Sequence, residues 1–126
     1  MAEPGTFYWN ELMTRDAARA KDFYAKTLGW TFDSMPMGEA GDYHIAKVGD
    51  TMVGGIMELS GAQFEGVPDN WFSYIAVDDL DQRLALLKEN GGMVIREPFD
   101  VPGVGRIAII AIPGGAAQGW MVPVPM

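Results

Sequence analysis

The sequence predicts an α+β chain made of two tandem βαβββ modules. Three observations lead there. Two segments carry a start signal, an apolar stripe and a stop signal for a helix. The stretches around them read as strands separated by glycine- and proline-rich turns. And the landmarks repeat: Trp9, Asp16 and Gly29 correspond to Phe72, Asp79 and Gly92, each pair 63 positions apart in a chain of 126 residues. That length suits a single compact domain over 1–126, with module one at 5–59, a linker at 60–69 and module two at 70–125. A unit of about 60 residues buries only a modest core, so the modules are expected to pair, within a chain or between chains.

Thr6 to Met13, rich in aromatic and apolar residues, is the first predicted strand. The first helix opens at Asp16, whose carboxylate can accept the free amides of the first turn. It continues AARAKDFYAKTL with Ala17, Ala20, Phe23, Tyr24 and Leu28 at helical spacing. Gly29 stops it, being suited to a left-handed C-terminal position. Strands follow at Trp30 to Met35, Asp42 to Val48 and Thr51 to Leu59, the last two joined by a Gly49-Asp50 hairpin turn. Ser60 to Asp69 has no apolar period and serves as the linker. Asn70 to Val77 leads into the second helix, which starts at Asp79 with Gln82 three residues on, as in a capping box. Leu80, Leu84 and Leu87 form its stripe and Gly91-Gly92 ends it. Met93 to Phe99, Arg106 to Ile112 and Gln118 to Val124 complete the pattern, divided by the Val101-Pro102-Gly103 and Pro113-Gly114-Gly115 turns.

Composition narrows the chemistry. Seventeen acidic residues against nine basic ones give a formal charge of −8, which argues against a nucleic-acid partner because phosphate backbones require clustered Lys and Arg. There are no cysteines and one histidine, His44. Disulfides, thiolate metal sites and a cysteine nucleophile are excluded. The N-terminal stretch lacks an apolar core after a basic start, and the longest apolar run, Ile107 to Pro113, is far below the roughly 20 residues of a membrane span. No membrane partner and a cytoplasmic location are therefore expected.

The strings FYWNELMTRDAARAKDFYAKTLGW, VGGIMEL, NWFSYIAVDDLD leading to ENGG, and IPGGAAQGW resemble the vicinal oxygen chelate superfamily. This group includes glyoxalase I, bleomycin-resistance proteins, fosfomycin-resistance enzymes and extradiol dioxygenases. The small members described as predicted lyases are the most similar. The resemblance covers nearly the whole chain and is most specific from Asp16 to Trp30. It implies mixed sheets curled around a cavity, a homodimer, and in metal-dependent members ligands from the first and last strands of each module. Carried over singly, those places fall on Trp9, on Phe72 and near Gly119, with Glu58 near the fourth. Indole, phenyl and hydrogen cannot bind a divalent ion, so no metal cofactor is expected.

Strand alternation puts Phe7, Trp9 and Glu11 on one face, and by the same logic Phe72 and Tyr74 face inward from the equivalent strand. An aromatic box with one carboxylate suits a flat or cationic small molecule. Its plain alternative is core packing, with Glu11 paired to Arg106, Arg96 or a helix N-terminus. Arg106 could instead hold an anionic group or pair with acidic neighbours. His44 is a possible general base or an edge histidine. Gly54-Gly55 looks like a place of close backbone approach without phosphate-loop spacing. Met35 and Met37 are lid or filler, and Asp78, Asp79 and Asp81 are a solvated helix start. The leading expectation is a metal-independent small-molecule-binding protein with Phe7, Trp9, Phe72, Tyr74, Arg106 and Trp120 at the ligand. The alternatives are a glyoxalase-type lyase or isomerase acting on a carbonyl compound, with Glu11 or His44 as base, and a structural module with a filled cavity.

Overall fold

The computed structural model describes residues 3–36, 42–59, 66, 68–101 and 104–124. Met37, most of the expected linker, and Pro102 and Gly103 of the expected turn lie outside the described residues. The described elements run β1 (Phe7–Thr14), α1 (Ala17–Leu28), β2 (Thr31–Pro36), β3 (Asp42–Val48), β4 (Thr51–Glu58), β5 (Asn70–Ala76), α2 (Leu80–Glu89), β6 (Met93–Val101), β7 (Gly105–Ala111) and β8 (Ala117–Pro123). Strand, helix and three strands, twice over, is the α+β order expected from the repeat.

The chain forms two compact units. One is Trp9–Trp71; the other joins the residues up to Tyr8 to Phe72 and those that follow. In the first, the strand order is β2-β3-β4-β1, with β1 and β4 parallel and the remaining pairs antiparallel. In the second, the order is β5-β8-β7-β6, with β5 and β8 parallel. Here the backbone before β1 pairs with the end of β5: the Gly5 amide donates to the Ala76 carbonyl at 2.7 Å and the Ala76 amide to the Thr6 carbonyl at 3.0 Å.

Each helix covers one face of its sheet. The start of α1 is held by three acceptors. Asp16 takes the Arg19 amide at 3.0 Å, Glu58 takes the Ala17 amide at 3.1 Å, and the Thr14 hydroxyl takes the Asp16 amide at 3.2 Å. Asp69 closes the same corner, accepting from the Thr14 hydroxyl at 2.6 Å and the Arg15 amide at 3.2 Å. Those bonds, the Thr14 one first, hold its carboxyl below the usual range. At the far end Gly29 adopts φ 74°, which costs a residue without a Cβ little. Beneath α1, Leu12, Ala17 and Ile56 are buried with Ala20, Tyr24 and Phe32 packed on them, whereas Phe23 and Leu28 of the expected stripe are exposed. In the other unit Leu80, Leu84 and Leu87 of α2 pack on Ala108 and Ile110, as their spacing predicted. No helix among the described residues is long and apolar enough to cross a membrane.

Candidate functional site

Pairing of Glu11 with Gly55 and of Gly55 with Ile45 places Trp9, Glu11, Met13, Tyr43, Ile45, Gly55 and Met57 on the face away from α1. Gly55 makes the arrangement possible. A side-chain carbon there would coincide with the Tyr43 ring and hydroxyl. With only hydrogen present, the ring lies over the sheet and reaches β1. Trp9 Nε1 donates to the Tyr43 hydroxyl at 2.8 Å, and that hydroxyl donates to Glu11 Oε2 at 2.9 Å. Three residues from two strands thus form a one-way relay ending on a carboxylate.

Glu11 is only 9 % exposed. Burial pushes its carboxyl above the ordinary value of 4.5, and the Tyr43 hydrogen bond offsets part of the rise. The other oxygen, Oε1, takes no bond from a described residue. Because none of their side-chain polar atoms is both buried and unpartnered, Oε1 keeps an open edge. On the same face Asp33 pairs with Lys47 at 3.2 Å. The site is therefore an aromatic wall, a tyrosine and one acceptor.

His44 does not join this group. His44, next to Tyr43, points to the α1 face and is buried. Its Nδ1 lies 2.7 Å from the Ser34 hydroxyl and 3.4 Å from Lys21 Nζ. Lysine only donates, so Nδ1 is the acceptor and His44 is neutral. Burial, aided by Lys21 and opposed by Asp42 and Glu58, lowers its pKa from 6.5. The unfolded chain then binds the proton more readily, so this stabilisation is complete above pH 6.5 and lost as pH falls from there through the lowered native value. We expect the urea midpoint of the wild type to drop between about pH 7.5 and 5.5, and His44→Gln to flatten that slope. An unchanged slope would show that His44 does not control it.

Within the second unit, Phe72 is buried and meets Tyr74 edge to face, ring centroids 5.3 Å apart. Tyr74 lies over Gly119, where a Cβ would strike its ring. Trp120, one residue on, is on the opposite face with α2. There it lines a cleft of about 360 Å³ with Leu86, Leu87, Ile112 and Pro113. The cation of that cleft, Arg83, is held in a two-pronged contact by Asp78 at 2.8 and 2.9 Å. Arg106 also turns to α2 and contacts Asp81 at 3.3 Å, while Arg96 sits over the Phe99 ring at 3.7 Å. Glu11 for its part is held by Tyr43. Phe7 is 68 % exposed. The sequence reasoning missed Tyr43, although Gly54-Gly55 had marked a close approach. It also missed the layer of Tyr24 stacked on Trp30 at 4.8 Å with Trp71 edge-on to both.

The places that the resemblance assigns to metal ligands carry Trp9 on β1, Phe72 on β5 and Gly119 on β8. The β4 register sets Gly55 beside Glu11 and Met57 beside Met13, and Glu58 serves α1 instead. Among the described residues no three His, Asp or Glu side chains come together to hold a metal ion. One carboxylate among rings and a thioether does not fit a divalent ion.

A family model described as the Glyoxalase/Bleomycin resistance protein/Dioxygenase superfamily matches residues 6–117. The chain is 42 % identical over 123 residues to the Mycobacterium tuberculosis protein named "Putative glyoxylase CFP32", covering 98 % of this chain and 46 % of that protein. It is 33 % identical over 125 residues to "Anthracycline biosynthesis protein DnrV" of Streptomyces peucetius, covering 90 % and 46 %. It thus spans a little under half the length of these relatives. Among solved structures, a hypothetical protein from Bacillus halodurans aligns with TM-score 0.76 at 15 % identity over 98 % of both chains. Methylmalonyl-CoA epimerase from Mycobacterium tuberculosis aligns at 0.70 and 17 % identity over 99 % of this chain and 93 % of that one. These two likenesses show the fold alone.

Proposed function

Since the chain belongs to the Glyoxalase/Bleomycin resistance protein/Dioxygenase superfamily, we propose that it binds a small organic molecule, aromatic or cationic, without a metal ion. The carrying observation is Glu11: a buried carboxylate with no countercharge in contact among the described residues, anchored by Tyr43 and walled by Trp9. Burying a charge with one neutral hydrogen bond is unfavourable, and a bound cation would remove that cost. The formal charge of −8 favours the approach of a cation. In the other unit Phe72 and Tyr74 form an aromatic pair of their own, and Arg106 and Trp120 lie on the α2 face of its sheet. We also propose that the chain works as a homodimer, because two copies would match the length of its relatives.

A second function, a glyoxalase-type lyase or isomerase with Glu11 as base, is favoured by the raised Glu11 pKa. Titration of tryptophan fluorescence with benzylamine and with benzyl alcohol tests the first. Saturable quenching that Trp9→Phe removes is expected; no saturable quenching by either compound would overturn it. Elemental analysis of protein prepared without a metal-affinity tag is expected to show no stoichiometric zinc, nickel, iron or manganese. One bound ion per chain would contradict the metal-free part.

A further inference from the structure

The hydrogen-bond polarity of the Glu11 site restricts what it can hold. Indole Nε1 has a single proton, and it is used on Tyr43. The phenolic proton is used in turn on Glu11 Oε2. Both side-chain donors of the group are therefore consumed inside it, and every step points toward the carboxylate. What remains outward is acceptor capacity on Oε1 and the π faces of Trp9 and Tyr43. Beside the relay on β1, β3 and β4, Met13, Ile45 and Met57 contribute no donor, and farther along β3 the charge of Lys47 is paired with Asp33 at 3.2 Å. A ligand's carboxylate or phosphate meets the negative charge of Glu11, and neither Trp9 nor Tyr43 has a proton left to offer it. A ligand's N–H finds an acceptor that is negatively charged and partly desolvated, the setting in which such bonds are strongest.

Resting on the binding function proposed above, we infer that this site selects protonated primary or secondary amines carried next to an aromatic or apolar group. It takes them in preference to quaternary ammonium ions and rejects acceptor-only anions. A quaternary ion meets the aromatic faces and the charge, but has no proton for Oε1. Developing oxyanions, as in enolisation of a carbonyl substrate, likewise lack a donor from this group, which weighs against the lyase alternative. Tyr43 acts here as a positioning residue: it holds Glu11 and favours its ionised form.

Four probes of one skeleton test this on the whole protein by calorimetry: benzylammonium, benzyltrimethylammonium, benzyl alcohol and benzoate. Benzylammonium is expected to bind about tenfold or more tightly than its trimethylated analogue, as one charge-assisted hydrogen bond implies. Benzoate is expected not to bind. Glu11→Gln is expected to erase the difference between the two cations. Tyr43→Phe is expected to move the pH midpoint of benzylammonium binding upward, because the bond that favours ionised Glu11 is gone. Equal affinities for the two cations, benzoate binding as tight as benzylammonium, or an unmoved midpoint would overturn the inference while leaving a binding site in place. If none of the four binds in a way that Trp9→Phe removes, the binding function itself fails.

Discussion

Glu11→Gln is expected to yield a protein that is more stable at pH 7 and has lost its affinity for organic cations. Glu11 is 9 % exposed, and among the described residues its only hydrogen bond is from Tyr43. The native pKa is raised above 4.5 by burial, so the folded protein takes up this proton more readily than the unfolded chain. The unfavourable term is absent below pH 4.5 and grows as pH rises through the raised native value. A glutamine keeps an oxygen for the Tyr43 hydroxyl and carries no charge. Relief of about 1–3 kcal/mol is the range for burying an imperfectly paired polar group, or about 3–5 °C in melting temperature per kcal/mol at this size. Thermal melts at pH 7 and pH 4 check the sign: the gain should be present at the first and nearly vanish at the second. Destabilisation at pH 7 would mean that the carboxylate is a structural anchor. A stability increase joined to a binding loss is the mark of a group kept for function.

Gly55→Ala acts on the same relay from the opposite side, and the two should be distinguishable. The added carbon takes the place of the Tyr43 ring, and the neighbour in the way is an aromatic ring fixed by two hydrogen bonds. Overpacking of this kind costs about 1–3 kcal/mol. Here it should also separate Tyr43 from both Trp9 and Glu11. Urea denaturation should therefore show a clear loss for Gly55→Ala in the wild-type background. In a Tyr43→Ala background the same substitution should cost little, since the obstacle is gone. Additive losses in the double variant would show that Tyr43 does not depend on the glycine. Cation binding should weaken in both single variants, unlike Glu11→Gln, without any gain in stability.

Much of the fold was legible because its signals are local. Asp16, Gly29 and Asp79 act on amides within one turn, and each stands where its chemistry places it. β3 spans Asp42–Val48 as its pattern predicted, and the other strands differ at their ends by one or two residues. α2 stops at Asn90, whose side chain donates to the Leu86 carbonyl at 2.7 Å, with Gly91 following at φ 89°. The site was legible only in part. Alternation correctly grouped Trp9 with Glu11, because parity along one strand is a local property. It could not pair β1 with β4 or show Tyr43 crossing Gly55, since those depend on register between distant segments. The same limit explains Trp120 and Arg106. Each was assigned to the ligand by residue type, and each faces α2 through a register that no nearby residue announces.

The pairing of Gly5 and Thr6 with Ala76 bears on the order in which the chain can assemble during synthesis. Gly5 and Thr6 leave the ribosome some seventy positions ahead of Ala76, the backbone they pair with. Trp9–Trp71, by contrast, is one continuous stretch and can close its own strand pairs as soon as it has emerged. Until Ala76 emerges, the residues before β1 wait as an unpaired strand end, an opportunity for pairing with another nascent chain. Closing such a long loop carries an entropic cost that local helix formation does not. The two sequence repeats are thus not the two assembly steps, and the residues just before β1 are secured only once β5 has emerged.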